Sequence, residues 1–253
     1  MKPIVKTITW LTVFAIAMGF LETSVVVYLR KLYYPGGFDF PLVPVTRDIA
    51  ITEFWREAAT IIMLIGAGVM SGKNPLQRFV FFLYTFAIWD IFYYVFLKML
   101  LNWPQSVFTW DILFLIPVPW VGPVLAPCMV SLSMILFMLV VVIQQEKGIK
   151  LKVNFVEWLL FIGGSVTAII SFMWDYIMYV SSYGADKGVW TLSSNQDMFD
   201  EVKQYVPAHF NWGLFWVGQG IILLAIGLVW RRGRKMKELL STRKRQALAG
   251  DKL

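Results

Sequence analysis

The chain has one cysteine, Cys128, and one histidine, His209, among its 253 residues. A lone cysteine excludes an intramolecular disulfide; within its apolar run Cys128 reads as a small core residue. One Cys and one His also exclude a Cys/His zinc site or bis-His haem ligation within a single chain. A di-iron site would need Glu-x-x-His pairs from two helices, which one histidine cannot supply. Gly-x-Ser-x-Gly, His-Glu-x-x-His, the P-loop and Gly-x-Gly-x-x-Gly are all absent, so the common nucleophile, metalloprotease and nucleotide signatures are missing. Charge is scarce too, at 15% of residues against 58% hydrophobic. Soluble domains seldom pair so little charge with such long apolar runs.

What is present is a series of apolar segments long enough to cross a bilayer. Barrel-type alternation is lacking, so helices must satisfy the backbone in lipid. The sequence predicts an all-α integral membrane protein with one six-helix domain over residues 1–230. The spans are expected at about 8–29, 49–70, 79–101, 125–143, 155–180 and 209–230. The first run is too long for a signal-peptide core and meets Arg30-Lys31 without a cleavage region, so it reads as a retained span. Val107 to Ile143 is too long for one straight span and carries Pro117, Pro119, Pro123 and Pro127. Proline breaks helices, so either a short re-entrant or interfacial piece (Thr109–Ile116) and an irregular segment precede the fourth span, or the prolines sit in a surface loop; both readings stay open. The 183–207 loop should hold an interfacial helix at about 197–206, with Met198, Val202, Tyr205 and Val206 on its apolar face. Gly66-Ala67-Gly68 and Gly163-Gly164 read as small residues that let helices approach.

Net charge is +7, but its distribution points to lipid rather than nucleic acid. Lys2, Lys6, Lys73, Arg78, Lys147, Lys150, Lys152 and the basic tail at 231–253 fall on one side of the predicted topology. Arg30, Lys31, Arg47, Lys187 and Lys203 fall on the other. The positive-inside rule then places both termini in the cytoplasm and the chain in the inner (plasma) membrane. The tail would lie on anionic lipid.

The informative residues are acids inside the spans. Trp89-Asp90 is followed by Tyr94 and Lys98 on one helical stripe, and Trp174-Asp175 is followed by Tyr179. Intramembrane charges cost about 2.5–3.5 kcal/mol each on insertion scales, and they usually face a protein interior or a cavity. Counting residues along the spans puts Asp90 near the midplane and Glu22, Glu57, Asp111, Asp175 and His209 in the outer half. Trp and Tyr side chains around them suggest an aromatic wall, part of which is an interfacial belt. Arg56 is placed to pair Glu53 or Glu57, and Lys98 to pair Asp111 across a hairpin.

Acids outnumber bases in such a pocket, so a cation is the expected guest. The expected binding set is Glu22, Glu57, Asp90, Tyr94, Lys98, Asp111, Asp175 and Tyr179. For one divalent metal ion the ligands would be Glu22, Asp90, Asp175 and His209. Three readings stay open. The first is a protein that binds or transports a metal ion, a proton or an organic cation. The second is a membrane-embedded enzyme working at the outer face on a lipid-linked or amphipathic substrate, with Asp90, Asp175 and His209 as its acid–base or metal-holding groups. The third is an accessory subunit of a larger membrane complex, its acids paired to a partner; assembly as an oligomer or with a partner subunit stays open as well.

Overall fold

A computed structural model describes residues 3–43, 45–114, 118–184 and 204–250. Six helices among them are long and apolar enough to cross a membrane, as a multi-pass protein in a lipid bilayer requires. They are α1 Pro3–Tyr33, α2 Arg47–Ser71, α3 Pro75–Leu101, α4 Leu125–Glu146, α5 Phe155–Gly184 and α6 Trp212–Gly250. Most of the expected 197–206 helix falls on residues 185–203, outside the described residues.

The helix ends follow from short polar signals. Asn74 caps α3, its side-chain oxygen accepting from Gln77 N at 3.0 Å, with Pro75 in the first position. Asn102, at φ 50°, closes that helix in the left-handed region. Asn154 and Glu157 form a reciprocal capping box at α5. Glu157 N donates to Asn154 Oδ1 at 2.8 Å, and Asn154 N donates to Glu157 Oε2 at 2.9 Å. Asn211 accepts from Leu214 N at 2.9 Å. The sixth helix therefore starts at Trp212, and His209 precedes it rather than opening it. α6 also runs on through the basic stretch to Gly250. Arg232 within that stretch donates to both carboxylate oxygens of Glu157, at 2.9 and 2.7 Å, tying α6 to the start of α5.

The proline-rich segment differs from expectation. Where a short re-entrant or interfacial piece is expected over Thr109–Ile116, the chain forms strand β1, Trp110–Phe114. It pairs antiparallel with β2, Trp120–Pro123. Asp111 lies opposite Gly122 and Ile112 opposite Val121, with an irregularity between Ile112 and Phe114. The physical reason is that Pro117, Pro119 and Pro123 cannot donate in a helix, whereas aromatic and β-branched residues suit a strand. The backbone beyond the hairpin is satisfied locally: Val124 N donates to Thr109 O at 3.0 Å and Leu125 N to Val107 O at 2.8 Å.

α3 is the central helix, packed by α1, α2 and α4; α6 packs on α4 and on α5. The bundle has two distinct ends. At the tail end an apolar cluster that includes Leu11, Phe81, Tyr84, Phe137 and Ile226 fills the interior. At the hairpin end smaller clusters around Val27, Leu97, Trp103 and Val121 surround the strands.

Two helix contacts depend on glycine. A Cβ on Gly68 would stand 2.6 Å from Phe82 N, and one on Gly218 would stand 2.7 Å from Ala168 N and 2.8 Å from Gly164 O. Gly66 and Gly163, by contrast, meet nothing within 4 Å, so only one glycine of each expected pair is a contact. Gly218→Ala should therefore lower the melting temperature in detergent by several degrees, while Gly163→Ala leaves it unchanged or raises it. Equal shifts would contradict the packing of α5 on α6.

Candidate functional site

A cavity of about 240 Å³ lies between the tail-end cluster and the hairpin. All six helices contribute to its wall. Glu22 comes from α1; Arg56, Glu57 and Thr60 from α2; Trp89, Asp90, Tyr93 and Tyr94 from α3; Ser131 from α4. Phe172 of α5 and Ile222 of α6 complete the apolar side, and Phe114 and Trp120 of the hairpin cover one end.

Asp90 sits midway along α3 and is 8% exposed. Ser131 Oγ donates to its Oδ2 at 2.8 Å. Oδ1 has no hydrogen-bond partner, and no cation pairs with this carboxylate, among the described residues. Two indole N–H groups on the cavity wall, those of Trp89 and Trp120, are buried and also without a partner there.

Glu22 is held differently. It pairs with Arg56 through a short contact and accepts from Thr60 Oγ1 at 3.2 Å. Arg56 also binds Glu53, Nη2 to Oε2 at 2.6 Å. The expected Arg56–Glu53 pair is thus joined by Glu22 from α1. The cavity is left with three carboxylates, Glu22, Glu57 and Asp90, against one guanidinium.

Other residues of the expected set lie elsewhere. Asp111 is buried beneath the hairpin and pairs with Arg30, Oδ1 to Nη2 at 3.0 Å, not with Lys98. Burial pushes the Asp111 carboxyl above the usual range, and the Arg30 charge pulls it back down. The Tyr94 hydroxyl stands close enough to favour the ionised carboxylate, without an aligned hydrogen bond. The Arg30 guanidinium lies between rings, 4.2 Å from the Phe38 centroid and 3.8 Å from that of Trp103. Lys98 is exposed and donates to the Asn102 and Pro104 carbonyls at 3.4 and 3.1 Å. It terminates α3 and takes no part in the cavity.

Asp175 is an anchor for the chain that leads into α6. Its Oδ2 accepts from Tyr205 OH at 2.8 Å and from Ala208 N at 3.1 Å, and its Oδ1 from His209 N at 3.1 Å. Burial, then the Asp175 carboxylate, raises the Tyr205 phenol, which keeps it a donor. The Tyr179 ring packs on Tyr205, centroids 5.1 Å apart. The His209 side chain is exposed. Asp175, Tyr179 and His209 therefore share one structural cluster, apart from the cavity that Asp90 lines. Asp175→Asn should lower thermal stability, with Tyr205→Phe doing so more mildly, while neither alters binding at the cavity. Loss of binding in both would place Asp175 back in the site.

The expected metal set does not assemble. Among the described residues, which include Glu22, Asp90, Asp175 and His209, no three His, Cys, Asp or Glu side chains are grouped as a metal ion requires. Sequence reasoning missed Ser131, Thr60 and Arg30. Ser131 and Thr60 are single hydroxyls in apolar runs, a weak signal because such side chains often bond their own helix. No family model, curated protein or solved structure matches the chain.

Proposed function

We propose that this chain is an inner-membrane protein, both termini cytoplasmic, that binds a small organic cation in the Asp90 cavity. The distribution of basic residues supports that orientation, which puts the hairpin and the cavity in the outer half of the membrane. The observation that carries the reading is Asp90: a buried carboxylate without a cationic partner among the described residues, lining a cavity walled by Trp89, Tyr93, Tyr94 and Trp120. A desolvated carboxylate is stabilised by a cation, and aromatic faces attract organic ammonium groups. The Trp89 and Trp120 N–H groups can donate to an acceptor atom on the same guest. At about 240 Å³ the cavity lies below the range of about 300–1,000 Å³ usual for small-molecule sites, so the bound group is no larger than a headgroup.

The scattered carboxylates argue against a metal ion as guest. A second reading has one observation behind it. The tail-end half below the cavity is packed by Phe81, Tyr84 and Phe137, which favours a dead-ended site over a transport path in this conformation. In that case Asp90 and Glu57 would serve as an acid–base pair acting on the bound amine.

The test is thermal melting of the purified chain during titration with tetramethylammonium chloride, against sodium chloride at matched ionic strength. A ligand at 100 times its Kd stabilises by about 2.7 kcal/mol. A saturable rise in melting temperature specific to the organic cation is expected. The same curve in both salts would remove the reading.

A further inference from the structure

Among the described residues, the cavity wall is incomplete on one side. α2 and α5 both line it, yet they share no packed interface along their length. Ser165 of α5 lines the cavity and is exposed, so the cavity is open at this residue among the described residues. It lies ten residues beyond Phe155, roughly 15 Å along the helix at 1.5 Å per residue, so the gap opens at membrane depth. Its lips are apolar: Ile162 and Val166 on α5 are 57% and 48% exposed, and Ile62 and Ile65 on α2 are 68% and 43% exposed. In a helix that crosses the bilayer, exposed side chains at this depth face hydrocarbon. The hairpin covers the other approach with Phe114 and Trp120.

We infer that the guest is a cationic amphiphile that reaches the cavity sideways from the bilayer. Its ammonium head lies against Asp90, and its alkyl chain passes out between α2 and α5. This rests on the cation-binding reading and adds the ligand class and the route. A cavity of headgroup size, acidic inside and open to lipid through apolar lips, matches a molecule with one charged end and one hydrocarbon end. A purely hydrophilic cation would have to cross lipid to use that opening. An alkylammonium is concentrated there by partitioning, and its chain need not leave the hydrocarbon when the head binds.

The experiment uses the full chain in phospholipid nanodiscs with two probes, tetramethylammonium and a dodecyltrimethylammonium carrying a photoactivatable diazirine on its chain. The long-chain probe should bind at least tenfold more tightly after correction for bilayer partitioning. Its photolabel should map to 61–65 of α2 and 162–169 of α5 and should be displaced by unlabelled dodecyltrimethylammonium. Ser165→Trp, which fills the gap at an exposed position, should cut the long-to-short affinity ratio at least tenfold. Equal affinities, or labelling away from these two segments, would overturn lateral access while leaving the cation site standing. If tetramethylammonium itself fails to bind, the underlying reading falls, and lateral access falls with it.

Discussion

Asp90→Asn should reduce organic-cation binding at least thirtyfold while leaving the fold intact. The substitution keeps the shape of the side chain and an oxygen that can still accept from Ser131 Oγ, now at 2.8 Å. It removes the formal charge. Removing one member of a buried charge pair costs about 2–5 kcal/mol, and each 1.4 kcal/mol is about tenfold in affinity. Because no protein cation pairs with Asp90 among the described residues, the loss should appear in binding rather than in stability. Isothermal titration with tetramethylammonium, with the melting temperature of each variant as control, separates the two. A variant that binds like the unaltered protein would make Asp90 a structural acid bonded only to Ser131. A variant that melts much earlier without ligand would show that the carboxylate holds helices together.

Arg30→Gln should have the opposite signature, a large loss of stability. Asp111 is 1% exposed, and Arg30 is its ion-pair partner. Removing one member of a buried pair costs about 3–5 kcal/mol because a charge is stranded. The stacking of the guanidinium between Phe38 and Trp103 is lost as well. Replacing both members with apolar residues, Arg30→Met with Asp111→Leu, should recover most of the loss, since hydrophobic replacement of a buried pair is often neutral. The pH dependence has a definite sign. Burial holds the folded-state Asp111 carboxyl above the usual range, so the folded chain binds this proton more readily than the unfolded chain. Stability from this group is therefore greater at low pH and falls as pH rises through the interval above the ordinary carboxylate value. Without Arg30 the fall should steepen, and acidification should partly rescue melting of Arg30→Gln. No rescue at low pH would mean that Asp111 is not the stranded group.

The six spans were legible because runs of apolar residues of membrane length have few other uses. Their limits were less so. The start of α6 at Trp212 is fixed by one cap, Asn211 accepting from Leu214 N, and nothing in hydropathy marks that residue. The hairpin was hidden because strands of five and four residues in a proline-rich stretch are too short to show a period. Counting along spans gave each acid a depth but no direction around its helix. Asp90 and Asp175 share the same Trp-Asp letters and the same Tyr four residues on, yet only Asp90 lines the cavity. Asp175 is committed to groups 30 to 34 residues away in sequence, which local pattern cannot reveal. Arg30 read as a loop charge because it follows an apolar run; its burial comes from Phe38, Trp103 and Asp111, three separate parts of the chain. Glu22 and Glu57, by contrast, belong to the expected set and both line the cavity.

The central claim is that a cation occupies the Asp90 cavity, and carboxyl labelling tests it at the residue itself. The chain in nanodiscs would be treated with a hydrophobic carbodiimide, with and without saturating tetramethylammonium, and Asp90 modification read by peptide mass spectrometry. Asp175, committed to Tyr205 and two backbone N–H groups, is the internal reference. The account predicts that Asp90 is modified and that the cation protects it at least tenfold while the Asp175 signal stays constant. Modification of Asp90 that proceeds equally with and without the cation would contradict it.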